Sequence, residues 1–159
     1  MPLSSSVLEQ ELSKFMDSES DSFEGSPENG IEFAQKFSSA INVYTSSIVP
    51  PSTTLIAAQA ALKGSLMTVG PHPGSPFLVA VTAGMAAYTA ALVPGMLPAF
   101  TAVPPVSPVG PLILASVIPL GVARSPAAVC IATLASTIDG WFRTGIAVNV
   151  ASGVTILWS

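Results

Sequence analysis

Charge is what this sequence most lacks. Only 9% of its 159 residues are Asp, Glu, Lys or Arg, against roughly 25% in an ordinary soluble domain. From Gly64 to Ala123 there is none at all. A free monomer keeps itself dispersed with surface charge; here a bilayer or neighbouring protein is expected to cover part of the surface. One cysteine, Cys130, excludes an internal disulfide framework and any cysteine-built metal site within the chain. No basic cluster is present, which argues against nucleic-acid binding. The first residues show no basic stretch followed by an apolar one, so no secretory signal is expected.

The few charges are unevenly placed. Residues 1–36 hold eight acids (Glu9, Glu11, Asp17, Glu19, Asp21, Glu24, Glu28, Glu32) against Lys14 and Lys36, a net −6. Residues 37–159 hold Lys63, Arg124 and Arg143 against Asp139, a net +2. The apolar half of the chain falls into periodic segments. Residues 4–17 read as a helix with Leu8, Leu12 and Phe15 on one stripe and Ser6 and Glu9 spaced as a capping box. The run "DSESDSFEGSPENG" then reads as an acidic linker.

A second helix is expected from Ser26-Pro27, carrying Ile31, Ala34, Phe37, Ile41, Tyr44 and Ile48 at helical spacing and stopped by Pro50-Pro51. Ser52 or Thr53 is placed to cap a third, with Leu55, Ala58, Leu62 and Leu66 on one face. "GPHPGSP" reads as a rigid turn. The fourth helix, about Pro76 to Val93, is apolar all round and is expected to be buried on every side. It has a bulky face (Leu78, Val81, Met85, Tyr88, Leu92) and a small one (Ala80, Gly84, Ala87, Ala91).

Prolines crowd the next stretch, "TAVPPVSPVGPLILASVIPLG", where an extended strap is expected, though "PLILASVI" has room for a short helix or strand. Ser125-Pro126 starts a fifth helix to about Thr144, with Gly145 as its stop. "GIAVNVASGVTILWS" reads as a β-hairpin turning at Ser152-Gly153. The expected fold is therefore mainly α: a small helical bundle with an extended Pro-rich segment and a short C-terminal β-hairpin. Its divisions are an acidic helical arm and linker (1–25), a helical core (26–97), the Pro-rich segment (98–124) and a helix plus hairpin (125–159).

Catalytic chemistry has little to draw on. His72 is the one histidine and lies in a proline-rich turn. No glycine-rich phosphate loop, metal-ligand spacing or nucleophile elbow is present. Asp139 and Arg143, four apart, form either an exposed helix pair or a polar spot on an apolar interface. The expectation is a protein that is not an enzyme and takes no cofactor, metal or small-molecule substrate. Its candidate interface residues are Leu8, Leu12 and Phe15 on the arm; Pro104, Pro105, Pro108 and Pro111 on the strap; and Trp141, Phe142, Arg143 and Trp158 near the C-terminus.

Four stretches carry a resemblance: "SSSVLEQELSKF", "FAQKFSSAINVYTSSIVPPSTT", "AFTAVPPVSPVGP" and "ASTIDGWFRTGIAV". Together they resemble small Ala- and Pro-rich virion structural proteins of tailed bacteriophages, especially those with contractile tails. The resemblance implies a minor tail or baseplate subunit, in contact with copies of itself and with other virion proteins. It fits a neck or capsid position equally and carries over no functional residue. The rival expectation is a small integral membrane protein, holin-like or membrane-anchored, using the uncharged residues 77–100 as a spanning helix.

Overall fold

The computed structural model describes residues 3–67 and 75–159. His72 and most of the "GPHPGSP" turn lie outside the described residues. Helix α1 (Ser5–Met16) starts without the expected capping box: Ser4 holds the cap position, and its hydroxyl bonds Ser6 rather than a backbone N–H. Helix α2 (Gly30–Thr45) starts later than Pro27 because Asn29 supplies a better start. The Asn29 carboxamide accepts from the Glu32 N–H, and the Glu32 carboxylate accepts from the Glu28 N–H, satisfying two donors at the first turn. Ala34, Phe37, Ile41, Tyr44 and Ile48 are buried as expected, but Ile31 points outward at 57% exposure and Phe33 takes the inner position.

Ser52 and Thr53 do not cap α3 (Leu55–Leu66); Thr54 holds that position. The hydroxyls turn instead to the C-terminal end of α4 (Ser75–Leu92). Ser52 donates to the Leu92 carbonyl and Thr54 to the Ala91 carbonyl, filling acceptors that a helix end leaves open. Gly95, in the 3-10 turn Val93–Met96 that follows, has no room for a side chain: a Cβ there would lie 2.6 Å from Thr54 Oγ1. Gly84 of α4 is likewise pressed on α3, its absent Cβ 3.1 Å from that of Ser65. The small face therefore serves a helix contact inside the chain. Helix α4 is not buried on every side, because Val79, Ala83, Ala86 and Ala90 face outward.

The Pro-rich segment is extended over only part of its length. It opens with β1 (Phe100–Val103), and from Val109 it turns helical: α5 (Val109–Ser116), then α6 (Ile118–Val122). Pro111 is the third residue of α5 and Pro119 the second of α6. A first-turn N–H has no partner within the helix, so proline there removes no bond. Helix α7 (Ala127–Phe142) starts at the expected Ser125-Pro126 pair, with Pro126 in the cap position. The hairpin is present as β2 (Ile146–Asn149) and β3 (Thr155–Leu157), its turn ordered by Asn149 Oδ1, which accepts from the N–H groups of Ala151 and Ser152. Strand β1 joins it, giving an antiparallel sheet of order β1-β2-β3. Gly145 is glycine for a packing reason: a Cβ would lie 2.8 Å from Cε3 of the buried Trp158 ring and closer still to Cδ2.

The helices close a ring. Helix α1 packs on α2, α2 on α3, α3 on α4, α4 on α5, α5 on α7, and α7 back on α1. Amphipathic helices bury their stripes this way without a central sheet. Leu8, Leu12 and Phe15 lie inside this ring, so α1 is a wall of the core and not a separable arm. The accessible surface, 7931 Å², is close to the roughly 7,400 Å² expected of a compact monomer of this mass. The chain thus completes its own core.

Candidate functional site

The two ends of the ring differ. At one end, α2, α4 and α7 finish and the sheet begins. Phe142 sits between rings there, edge-on to Tyr44 at 5.5 Å, Tyr88 at 6.2 Å and Trp141 at 5.2 Å. Polar groups pair inside this shell. Tyr44 donates to Asp139 Oδ1 at 2.7 Å, and Arg143 Nε donates to Asp139 Oδ2 at 2.8 Å. The other arm of Arg143 reaches the Leu3 carbonyl, and Tyr88 bonds Thr45. Asp139 and Arg143 form the expected i,i+4 pair, with the Asp139 side chain mostly buried rather than exposed. With Tyr44 and the Leu3 carbonyl the pair ties α7 to α2 and to the segment just before α1.

Burial pushes both tyrosine hydroxyls well above their ordinary range; for Tyr44 the adjacent Asp139 carboxylate adds to the rise. The chain has no other tyrosine. A phenol held neutral in the fold but free to ionise when unfolded stabilises the fold below about pH 10 and loses that contribution above it. Two such groups give a stability that falls by about 2.7 kcal/mol per pH unit well above pH 10. Alkaline titration is expected to show no tyrosinate absorbance until the chain unfolds, and then both residues at once. Ionisation of either tyrosine in the folded chain near pH 10 would contradict this placement.

Among the described residues, the other end is open and apolar. A cleft of about 450 Å³ enters there. Its lining comes from nearly every wall of the ring: Met16 of α1, Phe37 of α2, Phe77, Leu78 and Val81 of α4, Ile113 and Leu114 of α5, Val117, Ile118 of α6 and Leu134 of α7. Phe37 and Val81 are almost wholly buried, so the floor reaches the core, while Leu114 at 51% and Ile118 at 44% exposure stand on the rim. A second opening of about 560 Å³ adjoins it, sharing Leu78 and Leu114 and bounded by Val79, Pro108 and Pro111. No lining residue of either carries a charge. The first cleft has room for about 15 waters and offers them almost nothing to bond, so an apolar occupant gains by displacing them.

The expected interface residues divide between these ends and the wall. Leu8, Leu12, Phe15, Trp141, Phe142 and Trp158 are buried in the chain's own core and present nothing to a neighbour. Arg143 is engaged at the closed end. On the strap, Pro105 is buried and Pro104 half-buried, while Pro108 and Pro111 are exposed beside the second opening. The Trp141 indole N–H donates to the Ser107 carbonyl at 2.6 Å, fastening the strap to its own subunit. Sequence reasoning missed the cleft lining, above all Leu114, Val117 and Ile118. Their signal was present in "PLILASVI", a short helix apolar on its outer face as well as its inner one.

No protein-family model, curated protein or solved structure matches the chain. The cleft therefore has to be read from its own chemistry. Among the described residues no group of three His, Cys, Asp or Glu is placed to hold a metal. The ion pairs there are Lys14–Glu11, Lys36–Glu32 and Arg143–Asp139. Arg124, exposed just beyond α6, has none among them.

Proposed function

We propose that the protein is a non-enzymatic structural subunit of a phage virion, a minor tail or baseplate component, held by contacts between its apolar surface and neighbouring subunits. The observation that carries this reading is the uncharged cleft at the open end of the ring, with Leu114, Ile118 and Val122 exposed around it. Contiguous apolar surface of this kind marks interaction sites on soluble proteins. The resemblance of the four quoted stretches supplies the virion as the assembly.

The test is fractionation of purified particles. The chain is expected to be expressed without detergent and to co-sediment with particles at a fixed copy number in a density gradient, read by quantitative mass spectrometry. Particles free of the chain would overturn the reading. The uncharged helical stretch Phe77–Met96 has a mean hydropathy of 1.7, enough by length and composition to cross a bilayer. Its inner face, Met85, Tyr88 and Leu92, is wholly buried on the other helices. Partition of the chain into liposomes, with loss from the aqueous phase, would favour the membrane reading instead.

A further inference from the structure

We propose that the open end of the ring binds a second copy of this chain. Two mouths meet about a two-fold axis, each copy's α6 knob enters the other's cleft, and each Arg124 lies against the other's Glu19 and Asp21. This rests on reading the protein as an assembly subunit, and names the partner and the surface.

Two features of the rim argue for a second copy over any other occupant. The first is shape within one chain. Residues 118–123 form an apolar knob on the edge of the cleft, with Val122 81% exposed, and Ile118 belongs to both knob and cleft. A ridge and a hollow side by side on one surface are self-complementary under a two-fold rotation, which makes both contacts at once.

The second is charge. Arg124 follows the knob, exposed and outside the ion pairs described above. Met16 lines the cleft, and the chain leaves it directly into Asp17, Glu19, Asp21 and Glu24. The last three of these are exposed. A base beside the knob and acids beside the cleft give an attractive pair at each side of the two-fold contact. An apolar ligand has no use for either charge. A partner without a basic group beside its apolar surface would leave the exposed Glu19 and Asp21 without a counter-charge. The apolar contact supplies the affinity, and the charges set orientation and partner choice.

The experiment uses the full chain in detergent-free buffer at about 100 µM, with mass read by light scattering. The expected mass is twice 16.1 kDa. Val122→Asp is expected to be monomeric with an unchanged melting temperature, since the residue touches little of its own core. Two charge variants give the sharper readout. Arg124→Glu alone sets acid against acid, and Glu19→Lys with Asp21→Lys sets base against base, so each alone is expected to dimerise about tenfold more weakly. Mixed, they restore opposite charge at both sides, and the heterodimer is expected to recover wild-type strength.

A wild-type monomer at this concentration would overturn the proposal, while virion incorporation would still decide the subunit reading separately. Self-association that survives Val122→Asp, or a mixture of charge variants no tighter than either alone, would place the contact on another face and overturn it as well. If Val122→Asp fails to fold, the charge variants still decide, because their side chains are exposed.

Discussion

Removal of residues 1–25 is expected to abolish cooperative unfolding. The segment looks expendable: it is acidic, lies at one end of the sequence, and ends in a polar linker. In the structure it brings Leu3, Leu8, Leu12 and Phe15 into the core, each at most 4% exposed. Emptying one such site costs about 2–5 kcal/mol, so four together are comparable to the roughly 5–15 kcal/mol that hold a domain of this kind folded. Truncation would also remove the carbonyl that Arg143 meets and one of the two neighbours of α7 in the ring. The measurement is a thermal melt followed by circular dichroism, with the full chain as control. A truncated chain that melts cooperatively within a few degrees of the control would show that α1 is an appendage after all.

Phe142→Ala is expected to be the most damaging single truncation of a side chain. The ring is wholly buried and makes edge-to-face contact with three other aromatics, from α2, α4 and its own helix. Its removal costs about 3–5 kcal/mol for lost burial and the cavity left. For a chain of this length that is a fall in Tm of roughly 6–20 °C. Phe142→Leu keeps most of the volume and loses the ring contacts, worth about 0.5–1.5 kcal/mol each, so it is expected to fall between wild type and Ala. Phe77→Ala provides the contrast, because that ring is only partly buried and meets one other ring, Phe33, so a smaller effect is expected. Equal losses at both positions would mean that the two ends of the ring are equally packed, against the distinction drawn between them.

Much of the fold was legible in the sequence. The stripes of α1, α2 and α7 show at three- and four-residue spacing, and the hairpin shows as alternation around Ser152-Gly153. Three kinds of feature were hidden. Helix starts depended on which of several adjacent polar residues found a partner, and Asn29 displaced Pro27 because its carboxamide reaches the Glu32 N–H. Prolines hid α5 and α6, since a proline in a first turn and a proline in a strap look alike until the chain direction is known. Last, an apolar side chain reads the same whether it fills the chain's own core or faces a neighbour. Trp141, Phe142 and Trp158 have the composition of an interface and the burial of a core, whereas Leu114 and Ile118 lie inside a proline-rich stretch and are the ones exposed.

The closure of α7 on α1 sets the order in which the molecule can be made. Residues 5–16 meet residues 127–142 in the finished ring, so their contact spans most of the chain. During synthesis the apolar stripe of α1 emerges first and waits, uncovered on that side, until α7 has left the ribosome. Contacts of such high sequence separation are late and slow to form, and exposed apolar stripes are what chaperones hold and what aggregates. The acidic run directly behind α1 places charge next to the waiting segment, which favours its solubility while the rest of the ring is still being built.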